Sequence, residues 1–148
     1  GRGGSPIQNL ILNGFKESPV CALKMISKID GGPIYTQKML SLEGSLNQIF
    51  KNLNLLINEM ISEITFCLPK PKPQVGEVVV FKRRCSKDNL LPKNLLLEEI
   101  FDRIRMLDYE SYPKSYIEHG KYKIEFSEAE IINGEITCKA KIISNNDF

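Results

Sequence analysis

Three prolines in five residues, Pro69-Lys-Pro-Lys-Pro73, forbid any regular element from running through the middle of this 148-residue chain. A proline ring removes a backbone donor and clashes with the preceding helical turn, and closely spaced prolines hold a segment extended. The sequence therefore reads as two parts, 1–68 and 77–148, joined by a stiff Pro-rich linker over 69–76. Just ahead of that linker lies the most periodic stretch in the chain. Leu46, Ile49, Phe50, Leu53, Ile57, Met60, Ile61 and Ile64 recur at helical spacing and predict a helix of about six turns with one apolar stripe laid on a sheet. Ser45 and Gln48 have the spacing of a capping box at its start.

The remaining elements follow from local signals. Ser5 and Pro6 predict the start of a short helix, Asn13-Gly14 its end, and Ile7, Leu10 and Ile11 its buried face. Alternation predicts a strand over Pro19–Ile26, and Asp30-Gly31-Gly32-Pro33 turns the chain into a second strand over Ile34–Leu40. After the linker, Glu77–Phe81 reads as a short strand and Leu95–Leu107 as a helix capped near Asn94. Tyr122–Glu130 and Glu135–Ile143 read as strands of a hairpin turning at Asn133-Gly134, a pair of residues that favours φ > 0. The layout is an α/β piece, a linker and a small β-rich module.

Composition narrows the function classes. Hydrophobic residues make up 42% and charged residues 26%, which is ordinary for a globular chain and excludes low-complexity disorder. No apolar run approaches the ~18–20 residues that cross a bilayer. Up to Lys70 there are 7 basic and 5 acidic side chains, and beyond it 13 of each, so neither part has the basic excess of a nucleic-acid binder. Cys21, Cys67, Cys85 and Cys138 are scattered without metal-ligand spacing, and are read as free thiols with no metal.

Pattern alone offers few chemical candidates. Asp30 stands at the end of a strand with Gly31 and Gly32 beside it, where backbone approaches a ligand closely, although Asp-Gly also makes plain turns. Lys82, Arg83, Arg84 and Lys87 cluster beside Phe81 and suit either phosphates or a solvated loop. His119 has no acidic or cysteine partner in register, and Ser/His/Asp or Cys/His catalysis has no motif here.

Arg2-Gly3, Ser5-Pro6, Leu12 to Gly14, Glu17-Ser18-x-Val20, and Met25 through Ile29-Asp30-x-Gly32-x-Ile34-x-x-Gln37 together resemble the folate-dependent formyltransferases. This family comprises methionyl-tRNA formyltransferase and the amino-sugar N-formyltransferases. It is marked by an R-G-x-x-P loop, a helix ending N-G, a strand, an Asp-x-Gly turn and a second strand, and the register from Arg2 to Gln37 fits without a gap. Phe81-Lys82-Arg83-Arg84, Ile104 to Asp108 and Tyr112-Pro113 are similar to the family's C-terminal module. The resemblance implies an α/β fold: residues 1–68 from the C-terminal half of a Rossmann-like formyltransferase domain, then a small β-rich, OB-like module over 77–148.

The resemblance also implies the chemistry. A formyl group passes from N10-formyltetrahydrofolate to an amine, without a metal. Asp30 is the catalytic residue, orienting a histidine and helping the amine lose its proton. Ile29, Gly31 and Gly32 bind the folate donor, and Arg2 and Gln8 the acceptor. The family's Asn-x-His pair is expected just before Gly1, so these 148 residues are read as a fragment that is silent alone. Asn9 stands where the family has tryptophan, and Cys21 and Leu23 stand for its strand threonine and histidine. The preferred acceptor is a nucleotide-linked amino sugar, because the part after the linker carries no net positive charge. Initiator tRNA is the alternative, supported by Lys82–Lys87. The expected setting is cytoplasmic, with no membrane contact and a homodimer among the expected partners. The remaining reading is a non-catalytic binding or assembly module, with the long helix and the hairpin edge as its interface.

Overall fold

The computed structural model describes residues 2–144. Its elements are β1 (Arg2–Gly3), α1 (Pro6–Leu12), β2 (Glu17–Leu23), β3 (Ile34–Ser41), α2 (Leu46–Cys67), β4 (Val80–Phe81), α3 (Leu97–Arg105), β5 (Ser115–His119), β6 (Tyr122–Ile132) and β7 (Glu135–Ser144). The fold is mixed α/β and ends in an antiparallel sheet of order β5-β6-β7. Two further pairs precede it: β2 with β3, antiparallel, and β1 with β4, parallel.

Hydrophobic burial ties these pieces together. Ile11 of α1, Leu40 and Leu42 at the end of β3, Ile49 of α2, and Met106 and Leu107 after α3 form one buried cluster. At roughly 1.5–3 kcal/mol for each large apolar side chain buried, this cluster is the main bond between the residues before and after the proline segment. Phe50, Tyr109 and Tyr112 extend it with edge-to-face contacts, ring centroids 4.9, 6.3 and 5.6 Å apart. Arg105 is buried beside them. Its Nη1 donates to the carbonyls of Leu42 (2.7 Å) and Gly44 (2.8 Å), and its Nε to Asp102 Oδ1 (2.6 Å).

Several expectations shift by a few residues, each for a local reason. Ser5 sits at φ 50° and does not cap α1; its hydroxyl accepts from the Arg84 amide instead. The second strand of the chain begins at Glu17 and stops at Leu23 rather than Ile26, because the Lys24 amide is taken by the Pro33 carbonyl (2.8 Å). Ser45 does cap α2, accepting from the Gln48 amide at 3.2 Å, but the Gln48 side chain turns to Asn52 and only half the box forms. The apolar stripe of α2 is also half used. Leu46, Ile49 and Met60 are buried, whereas Ile57 and Ile61 are exposed, since a two-stranded ribbon is too narrow to cover them all.

The proline segment is not a free tether. Lys72 exchanges both backbone hydrogen bonds with Ile34 (2.7 and 2.8 Å), pinning the crossing to the start of β3. α3 starts at Leu97, later than expected, because the Glu99 carboxylate accepts from the Leu96 amide (2.8 Å), and it ends at Arg105. The Asn133-Gly134 turn forms as expected, both residues at positive φ (52° and 80°). The pattern had not announced β5, which pairs with β6 through a loop at Gly120-Lys121. A bulge interrupts β6 at Glu128 (φ 51°), whose amide donates to Asp108 Oδ2 at 2.7 Å. That bond docks the C-terminal sheet onto the turn after α3.

Candidate functional site

The chain between β2 and β3 is held by one glycine. A Cβ on Gly32 would stand 1.8 Å from the Lys24 carbonyl oxygen, so only glycine lets the turn close against the end of β2. The turn in front of it is tight, with the Gly31 amide donating to the Lys28 carbonyl (3.2 Å). Asp30 lies on this turn in the left-handed region (φ 53°), exposed to solvent. Aspartate tolerates that region better than most residues.

Asp30 borders a cleft of about 610 Å³ that Arg2, Cys21, Gln37 and Gln74 also line. A residue absent from the sequence reading organises it. Gln74, at the end of the proline segment, donates Nε2 to the carbonyls of Asp30 (3.0 Å) and Gly32 (2.6 Å). Its Oε1 accepts from Arg2 Nη2 at 2.8 Å. One carboxamide thereby fixes the Asp30 turn, the guanidinium of Arg2 and the linker in a single arrangement. A glutamine in a proline-rich stretch carries no sequence signal for such a role.

On the strand floor of the cleft, Cys21 Sγ lies 3.9 Å from Gln37 Oε1. Burial pushes the Cys21 thiol pKa up, so it stays protonated at neutral pH. The cleft therefore presents two carboxylates, Asp30 and Glu77, with a cation, neutral amides and a thiol. Such a set can orient a polar ligand and offers a carboxylate as proton acceptor; among the described residues lining it there is no imidazole, and His119 lies on β5.

The structure brings Arg2, Asp30 and Gly32 together through Gln74. Ile29 is 86% exposed beside the turn, and Gly31 is half-buried within it. Gln8 is placed elsewhere: it is buried on α1 and lines a different cavity, on the other side of the Gly3–Pro6 segment. Among the described residues no helix is long and apolar enough to cross a membrane.

Comparison with known proteins bears on the family and the fold. Residues 86–143 match the family model described as methionyl-tRNA formyltransferase, C-terminal domain. A methionyl-tRNA formyltransferase of Lactobacillus acidophilus is 28% identical over 98% of this chain and 48% of its own length. One from Lactobacillus gasseri is 32% identical over 83% of this chain and 41% of its own. The chain thus spans about half the length of the curated relatives it matches. Among solved structures, methionyl-tRNA formyltransferase from Clostridium thermocellum superposes with a TM-score of 0.91 at 42% identity, covering 97% of this chain and 63% of that one. A Helicobacter canadensis N-formyltransferase, solved with folinic acid and dTDP-3-aminofucose, shares the fold at 18% identity and a TM-score of 0.61, over 97% of this chain and 61% of its own.

Proposed function

We propose, for a chain that belongs to the formyltransferase family, that it serves formyl transfer from N10-formyltetrahydrofolate to the amino group of methionyl-tRNA. The observation that carries this reading is the match to the Clostridium thermocellum enzyme over nearly the whole chain. The amino-sugar acceptor preferred from charge balance gives way to the tRNA alternative, since the sugar enzymes match at much lower identity. Net charge was a weak guide because a few well-placed cations meet phosphates as well as a global excess does.

In this reading residues 1–68 form part of a Rossmann-like catalytic domain, 69–76 the linker and 77–148 a small OB-like module, in a cytoplasmic enzyme. Asp30 is the catalytic carboxylate. It orients an imidazole and receives the amine proton as the amine attacks the formyl carbon, a contribution of about 10²–10⁴-fold; the tetrahedral adduct then breaks its bond to N10, which takes up a proton and leaves as tetrahydrofolate. That imidazole belongs to an Asn-x-His pair, which these 148 residues do not contain. The exposed Ile29 and the Gly31-Gly32 backbone, on the turn beside the cleft-lining Asp30, fit a flat, partly apolar donor, and Arg2 fits an anionic group on the acceptor side.

The test uses a protein that carries this chain together with the Asn-x-His segment. Formylation of methionyl-tRNA and of a nucleotide-linked amino sugar is compared, with tRNA retention on filters at two salt concentrations. The expected result is formylated tRNA, salt-sensitive retention, and a loss of at least about tenfold in kcat/KM for Asp30→Asn with donor affinity kept. Faster formylation of the amino sugar, or an unaffected Asp30→Asn enzyme, overturns the reading.

A further inference from the structure

The crossing between α2 and β4 grips the cleft of Asp30 at three points. Lys72 exchanges its two backbone bonds with Ile34 at the start of β3. Gln74 reaches both the Asp30 turn and Arg2 through its side chain. The Val79 carbonyl accepts from the Arg2 amide at 2.8 Å, next to the rung between Arg2 and Val80. Pro73, with its locked φ, stiffens the step from Lys72 to Gln74. Beyond Gln74 the chain turns outward, and Val75 is 98% exposed.

The Asp30 turn has little else to hold it. Among the described residues, the segment 25–32 makes one backbone–backbone hydrogen bond, from the Gly31 amide to the Lys28 carbonyl. Asp30 stands at φ 53°, a conformation that persists only where the surroundings impose it. Gln74 supplies two bonds there, to the carbonyls on either side of Gly31.

The chemistry of those partners selects a carboxamide. Guanidinium nitrogens only donate and backbone carbonyls only accept. Glutamine meets both, offering Oε1 to Arg2 and Nε2 to the two carbonyls; a glutamate has no donor for the carbonyls, and a lysine has no acceptor for Arg2. The Arg2 cation on Oε1 also polarises the amide and strengthens its N–H donors. We propose that Gln74 is a positioning residue for formyl transfer: its carboxamide sets the Asp30 carboxylate and the Arg2 guanidinium at one spacing, which makes the linker a working part of the active site. This role rests on the reading of Asp30 as the carboxylate that receives the amine proton.

The test uses the protein that carries this chain together with the Asn-x-His segment. Gln74→Met keeps the length of the side chain and loses all three bonds. It should lower kcat by about ten- to a hundredfold, the loss that a misplacement of about 1 Å brings, and raise KM for methionyl-tRNA. Gln74→Glu keeps an acceptor for Arg2 and loses both donors, so kcat should fall as far while that KM stays within about twofold of wild type. In the Asp30→Asn background, Gln74→Met should add less than about twofold, because a residue that acts through Asp30 has nothing left to place. A merely structural role would multiply the two losses. Gly31 amide exchange reads the turn without turnover and should be at least about tenfold faster in both Gln74 variants, with the Lys72 and Ile34 amides unchanged. Multiplied losses, unchanged Gly31 exchange, or wild-type kcat in Gln74→Met beside an impaired Asp30→Asn enzyme overturn the inference and leave the reading of Asp30 standing. An Asp30→Asn enzyme of wild-type activity overturns that reading, and this role with it.

Discussion

Replacing Arg105 by alanine strikes a cation that joins the two parts of the chain through the Leu42 and Gly44 carbonyls. Its side chain is 6% exposed and that of Asp102 is 18% exposed. Alanine strands the Leu42 and Gly44 carbonyls at about 1–3 kcal/mol each, and leaves Asp102 without its partner, a loss of about 3–5 kcal/mol in buried pairs. These costs overlap rather than add, and Asp102 keeps some access to water, so the expected loss is about 4 kcal/mol. Against a typical total of about 5–15 kcal/mol, that loss leaves a marginal chain largely unfolded. Urea unfolding followed by circular dichroism measures it. Arg105→Lys should recover about half, because a single ammonium on a flexible stem cannot serve both carbonyls and the carboxylate. A loss below about 1 kcal/mol for Arg105→Ala would refute the argument, and would mean that the apolar cluster alone holds the parts together.

Gly32→Ala forces the Asp30 turn away from Lys24 and should cost about 1–3 kcal/mol, with early exchange of the Lys24 amide; unchanged protection there would show that the turn yields easily. Ser45→Ala removes the only side-chain cap of α2 and should cost about 1 kcal/mol in the denaturation midpoint. The Cys85 amide bond holds the Asp88 carboxyl below its ordinary range. The turn over Ser86–Asn89 should therefore be intact above about pH 3.9, the unfolded value, and open as pH falls through the lower folded value. The Cys85 amide shift across an acid titration reads this directly, and an Asp88→Asn chain should show no such transition.

Periodicity exposed α1, α2, β3 and the β6–β7 hairpin in the sequence because their burial repeats at 3.6 or 2 residues and their ends carry glycine, asparagine or serine. β5 stayed hidden: Ser115–His119 is short, mixes polar and apolar residues, and is defined by pairing with β6 rather than by its own pattern. The boundary of β2 was likewise tertiary, set by a hydrogen bond to Pro33. At the site, Asp30 and its glycines were legible as a turn, and only the family resemblance lent them chemistry. Gln74 was invisible, since its role depends on a fold that brings position 74 beside positions 2, 30 and 32.

The short parallel ladder of β1 and β4 has a kinetic meaning. The β6–β7 hairpin closes across two residues, on the ~1–10 μs scale of local hairpins. The β1–β4 rungs join Arg2 to Val80 and Gly3 to Phe81, so nearly all of the first part must be looped out before either bond forms. Their return is small: flanking bonds from the Arg2 amide to Val79 (2.8 Å) and from the Gly4 amide to Phe81 (3.1 Å). A seam with so long a loop and so few bonds closes late and parts early, ahead of global unfolding. Gly3 and Pro6 line both cavities. The ladder, through Gly3, thus holds in place a wall that the two chambers share.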